Sequence, residues 1–172
     1  TPNDLGRFEE VVLEVLGEDD PSYELPPRER WTASFQKKAP KHSAALRNGL
    51  AETLALLGAR PERLPDSHGL CGRVEQIVRK LLDRQDWRRW ASLSHQLPLL
   101  AEAGPEAFVE AAERDLKRSG PAVVKLFEQE GDMLLASNPH TGLLWALEVL
   151  AWYATLLPKV SLILATLDEM SP

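Results

Sequence analysis

The chain has 172 residues, 44% hydrophobic and 27% charged, an ordinary globular composition that excludes intrinsic disorder. A formal charge of −6 and a pI of 5.3 do not suit the surface as a whole to a polyanion. Cys71 is the only cysteine, which excludes an intrachain disulfide and points to a reducing, cytoplasmic compartment.

No leader pattern is present, and the chain opens Thr1-Pro2-Asn3 without Met, so it reads as a piece of a longer protein. Asn3 or Asp4 is placed to cap a first helix, whose apolar stripe is Leu5, Phe8, Val11, Val12, Val15 and Leu16 and which Gly17 ends. A polar loop to Pro26 leads to a short helix begun by Pro27 and carrying Trp31 and Phe35. Six basic residues (Arg28, Arg30, Lys37, Lys38, Lys41, Arg47) face one acid, Glu29, between positions 28 and 47. The reading adopted is a solvated face balanced by Glu18, Asp19 and Asp20; the alternative is contact with an anionic partner.

A third helix is expected from Lys41 to Leu57, with Leu46, Leu50, Leu54 and Leu57 on one face and Gly58 as its stop. A connector from Arg60 to Asp66 leads to a helix from Ser67 to Arg84, with Leu70, Val74, Ile77, Val78, Leu81 and Leu82 inward. Asp86 caps the next helix, where Trp87, Trp90, Leu93, Leu97 and Leu100 share a face and Pro98 splits the helix near His95 and Gln96. Gly104-Pro105 starts a helix with Phe108, Val109, Ala112 and Leu116 inward. Ser119-Gly120-Pro121 starts a shorter one through Phe127. Asn138-Pro139 precedes an apolar helix over Leu143 to Tyr153, and Pro158 begins the last, over Val160 to Leu167. No alternating strand pattern or hairpin turn occurs, so the fold class is all-α, with about eight or nine helices. Leu97, Leu100 and Ala101 recur fifty residues later as Leu147, Leu150 and Ala151, each set followed by a Pro-started helix, a weak internal echo.

The stretch Leu97-Pro98-Leu99-Leu100-Ala101-Glu102-Ala103-Gly104-Pro105-Glu106-Ala107-Phe108, with Gly142-Leu143-Leu144-Trp145-Ala146-Leu147-Glu148-Val149-Leu150-Ala151-Trp152, resembles the α-helical, HEAT-like repeat regions of large bacterial multidomain proteins, some of which adjoin signalling or defence NTPase domains. The resemblance covers the second half of the chain. It implies antiparallel helix pairs stacked as an irregular right-handed superhelix and a scaffold or sensor role, and it transfers no functional residue. The fallback architecture is a compact helical bundle.

The sequence holds no phosphate loop at Gly69-Leu70-Cys71-Gly72, no Gly-x-Ser-x-Gly elbow and no Glu-x-x-His pair. His42, His68, His95 and His140 lack partners at metal-ligand spacing; His68 and Cys71 supply two ligands where three or four are usual, and a buried thiol is expected. No metal and no cofactor is therefore assigned. Glu110 and Glu113 are expected to pair with Arg114 and Lys117. Trp87 and Trp90, interleaved with Arg88 and Arg89, form a pattern that stacks on nucleotides, but core tryptophans with outward arginines and no nucleic-acid partner are expected. Leu143 to Leu167 holds two charges, Glu148 and Lys159, and is long enough nearly to span a bilayer; Pro158 splits it and Glu148 is costly in lipid, so two buried helices of a soluble module are expected.

Glu148 is the sole acid in a strongly apolar helix. It is either an edge carboxylate or a site residue. Together with Trp145, Trp152 and Leu156 it forms the candidate ligand- or partner-binding set. The final helix pair is the most apolar in the chain, so its outer side is expected to dock on a protein partner, on further domains of the parent chain, or on a second copy as a symmetric homodimer. The function expected is a non-catalytic scaffold or protein-interaction module. The alternatives are a small-ligand-sensing helical domain and an enzyme of an unfamiliar all-helical family.

Overall fold

The computed structural model describes residues 2–59, 69–129 and 138–170. Nine α-helices and two 3₁₀ segments occur among the described residues, and no strand. In chain order they are α1 (Pro2–Val15), the 3₁₀ segments Pro21–Glu24 and Pro27–Thr32, then α2 (Ala44–Ala59), α3 (Leu70–Leu82), α4 (Trp87–Ser92), α5 (Leu97–Ala103), α6 (Pro105–Leu116), α7 (Ala122–Lys125), α8 (Pro139–Ala151) and α9 (Leu157–Met170).

The contacts arrange the longer helices in two layers. In one, α5 lies between α2 and α8; in the other, α6 lies between α3 and α9. The pairs α2/α3, α5/α6 and α8/α9 meet across the layers, α1 rests on α3 and α2, and the short α4 and α7 touch each other. The echoed residues Leu97, Leu100, Ala101 and Leu147, Leu150, Ala151 therefore sit on neighbours of one layer. Apart from half-buried Ala151, all are buried. Glycine permits two close approaches to this layer's helices, one from α5 to α2 and one from the turn before α5 to α8. A Cβ on Gly58 of α2 would strike the carbonyl of Ala103, and one on Gly142 of α8 would strike the carbonyl of Ser94.

The apolar periodicity places most of the core correctly. All six expected residues of α3 are buried, as are Trp90, Leu93, Leu97 and Leu100 around the split at Pro98. Asp86 caps α4, its Oδ1 accepting from the Arg88 amide at 3.0 Å. Buried Asp115 at the end of α6 accepts from the Val123 amide at 2.9 Å, so a side chain of α6 holds the start of α7.

Several expectations are corrected. Helix α1 begins at Pro2, so Asn3 and Asp4 lie within it, and Val11 is exposed at the rim of its stripe. Helix α2 runs past Gly58, and it turns Arg47, Ala51, Leu54 and Ala55 inward while Leu46 faces out. Trp31 and Phe35 are both exposed. Cys71 is exposed, and His68 lies outside the described residues. Arg89 points inward beside Trp90: it donates to the Leu16 carbonyl at 3.0 Å and pairs with Asp19 at 3.1 Å. Arg47 joins it there, donating to the carbonyls of Val15 at 2.8 Å and Ser92 at 2.9 Å. Both guanidiniums thus satisfy carbonyls where α1 ends, a place that favours cations and otherwise leaves acceptors orphaned. Burial lowers both arginine pKa values, and nearby acids oppose the shift.

Glu110 does not pair within its own helix. It takes Arg79 of α3 at 2.8 Å, while Arg114 takes Asp83 at 2.9 Å. Glu9 of α1 bridges Arg73 at 3.1 Å and Lys80 at 2.8 Å on α3, and Lys159 of α9 lies 3.7 Å from Glu106 of α6. Every junction from α1 through α3 and α6 to α9 therefore carries an ion pair.

Candidate functional site

The opposite layer has a different surface. Helices α2, α5 and α8 hold no lysine and one arginine between them, Arg47, and it is buried. Each holds one carboxylate, Glu52, Glu102 and Glu148, and all three are exposed without an ion pair among the described residues. Glu148 is thus an edge carboxylate.

Helix α8 divides its apolar residues between two sides. Leu143, Ala146, Leu147 and Leu150 are buried, whereas Leu144 is partly exposed, Trp145 is 60% exposed and Trp152 is 84% exposed. Trp145 and Trp152 are two turns apart with half-buried Val149 between them, so they share a stripe. The helix ends as the amides of Trp152 and Tyr153 bond to Val149 and Leu150, which leaves both rings at its C-terminal edge. An open groove of about 360 Å³ lies there, lined by Ala59, Glu102, Val149, Trp152 and Tyr153. It draws on the ends of α2, α5 and α8.

Of the four residues singled out in the sequence, Trp152 lines this groove, and Trp145 and Glu148 lie on the same exposed side of α8. Leu156 does not join them. It is 2% exposed, since the turn after α8 directs it into the core with Val160 and Ile163. Glu102 and Tyr153 were missed. Glu102 is the one charge between Leu97 and Gly104, the same signal that singled out Glu148.

A carboxylate beside two aromatic rings can hold a cation. The groove's titratable groups are the Glu102 carboxyl and the Tyr153 phenol. Elsewhere Trp31 and Phe35 are exposed, while Trp87 and Trp90 are occupied by their own chain. Trp87 meets Tyr23 edge-on at 5.6 Å, with the Arg30 and Arg88 guanidiniums 5.6 and 5.1 Å from its ring centre, and Trp90 is buried against Phe108. These rings are not available to stack on a nucleotide. Burial pushes the Tyr23 hydroxyl up to about 12. Among the described residues no group of three His, Cys, Asp or Glu can hold a metal ion, and no helix is long and apolar enough to cross a membrane. No family model, curated protein or solved structure matches the chain.

Proposed function

We propose that the chain is a non-catalytic helical scaffold that binds a protein partner through the outer side of α2, α5 and α8. The observation that carries this is the exposure of Trp145 and Trp152 on one stripe beside a groove. At 60% and 84% exposure the two rings alone present on the order of 300 Å² of apolar surface, the scale of a functional patch on a monomer. Trp and Tyr are also the residues that dominate binding energy at interfaces. The two-layer order of α2/α3, α5/α6 and α8/α9, with the echo on α5 and α8, supports reading these pairs as successive units of a HEAT-like right-handed stack. A symmetric homodimer through this stripe is less favoured: a two-fold axis through its middle brings Glu148 of each copy face to face.

Selection of peptides from a random displayed library on the full chain tests the proposal. Enrichment of peptides whose binding is lost in Trp152→Ala supports it; no enrichment, or equal binding to the variant, overturns it. The groove favours one other reading, a small-ligand sensor, because its volume falls in the range of ligand pockets, roughly 300–1,000 Å³. A thermal-shift screen that finds a stabilising metabolite, with no peptide selected, decides for that reading.

A further inference from the structure

The partner's chemistry can be read from the charge on this face. We infer that the groove at the ends of α2, α5 and α8 seats a lysine or arginine side chain from a basic amphipathic segment of the partner, with apolar residues of that segment on Trp145 and Val149. This rests on the docking reading above.

Three observations converge. The groove is lined by one carboxylate, Glu102, and two aromatic rings, Trp152 and Tyr153. That combination suits a cation: ring faces are electron-rich, and the carboxylate supplies the formal countercharge. The exposed Lys, Arg, Asp and Glu charge on the three helices that form it is also of one sign. Glu52, Glu102 and Glu148 are all exposed, and the three helices hold no lysine and no exposed arginine to neutralise them. On the other layer the chain places a base beside an acid at each helix junction, whereas no junction among α2, α5 and α8 carries an ion pair among the described residues. Finally, the apolar stripe repeats at the spacing of a helix. Trp145, Val149 and Trp152 lie at i, i+4 and i+7, the pattern against which an amphipathic helix sets its own apolar face. An acidic or uncharged partner would leave three carboxylates at its edge unanswered; a basic one would be drawn in and oriented by them.

The test uses two amphipathic helical peptides, one of leucine and lysine, the other of leucine and glutamate, titrated by calorimetry into the full chain. The lysine peptide should bind, more weakly as salt is raised, and the glutamate peptide should not. Glu102→Gln and Trp152→Ala should each weaken the lysine peptide by about tenfold. Glu10→Gln, at an exposed position of α1 far in the chain from the groove residues, should leave it unchanged. Both groove residues are exposed, and a denaturation curve for each variant verifies its fold. Equal binding to Glu102→Gln and wild type would mean general attraction to an acidic protein and would overturn the inference. Tight binding of the glutamate peptide would do the same. If the lysine peptide fails while library peptides of other charge still require Trp152, the cationic partner is wrong and the docking face stands. If no peptide of either kind requires Trp152, both fall. Self-association in sedimentation that is abolished by Trp152→Ala would assign the face to a second copy and would also overturn the inference.

Discussion

The two layers treat the same kinds of residue in opposite ways. On the side of α1, α3, α6 and α9, carboxylates meet arginines and lysines across each helix junction. On the side of α2, α5 and α8, each helix carries one carboxylate with no ion pair among the described residues, and two of the chain's five tryptophans stand out from α8. Exposed ion pairs add little to stability, with a median near 0–1 kcal/mol. The first surface is thus not distinguished by strength. Its helix junctions are each bridged by an ion pair, whereas Glu52, Glu102 and Glu148 on the second have none among the described residues.

The contrast is testable within α8. Leu147 is 1% exposed and packs between the layers, so Leu147→Ala should cost about 2–5 kcal/mol in chemical denaturation. Trp145→Ala and Trp152→Ala should stay within about 0.5 kcal/mol, despite removing far larger side chains. A loss of several kcal/mol at either tryptophan would show that its ring is part of the core, and the docking face would go with it.

The next effect concerns the one arginine of the acidic layer. Arg47 is turned inward to the carbonyls of Val15 and Ser92, which is why it does not offset Glu52 on the outside of the same helix. Arg47→Met keeps much of the volume and orphans both acceptors. The expected loss is on the order of 3 kcal/mol, read from denaturation midpoints. A neutral result would mean that water satisfies these carbonyls and that the inward turn of Arg47 has another cause.

Glu9 on the ion-paired side has an effect that depends on pH. The hydrogen bond from Lys80 holds its carboxyl below the usual value of 4.5, against the opposing effect of burial. A carboxyl whose folded pKa is depressed stabilises the fold above its unfolded pKa, and the contribution is lost as pH falls through the folded value. Glu9→Gln should therefore be less stable than wild type near neutral pH, and the difference should close below pH 4.5. A difference that persists unchanged in acid would mean that the bridge to Arg73 and Lys80 contributes nothing through charge.

Helix identity and most inward faces were legible because apolar spacing reports burial directly: α3 follows its pattern residue by residue, and Asp86 and Pro98 mark their boundaries, whereas α2 buries Arg47, Ala51 and Ala55 where Leu46, Leu50 and Leu57 were expected. Partners across helices were not. Spacing within α6 put Glu110 beside Arg114, but helix packing brought Arg79 and Asp83 to them instead. Arg89 was misplaced for a related reason. A charged residue is expected outside until something buried can receive it, and the receiving carbonyl, Leu16, is 73 positions away. For the candidate site, Glu148, Trp145 and Trp152 were visible as anomalies of composition. That Leu156 turns inward, and that Glu102 and Tyr153 come to Trp152, depends on how three helix ends meet, which no local pattern encodes.

The smallest effect expected is the one that isolates the acidic layer most cleanly. Glu52, Glu102 and Glu148 have no ion pair to lose among the described residues, so replacing any of them with Gln removes charge and little else. Surface substitutions of this kind fall within about 0.5 kcal/mol. A slight gain is the expected sign, because three like charges on adjacent helices relax when one is neutralised. Charge repulsion among exposed groups is screened by ions over about 10 Å at 0.1 M salt, so any gain should shrink as salt is added. The combined Glu52→Gln, Glu102→Gln, Glu148→Gln variant, followed by thermal denaturation at low and high salt, makes the measurement. A clear loss of stability, insensitive to salt, would mean that these carboxylates hold the fold through contacts of their own, and the opposition between an answered and an unanswered layer would no longer describe this protein.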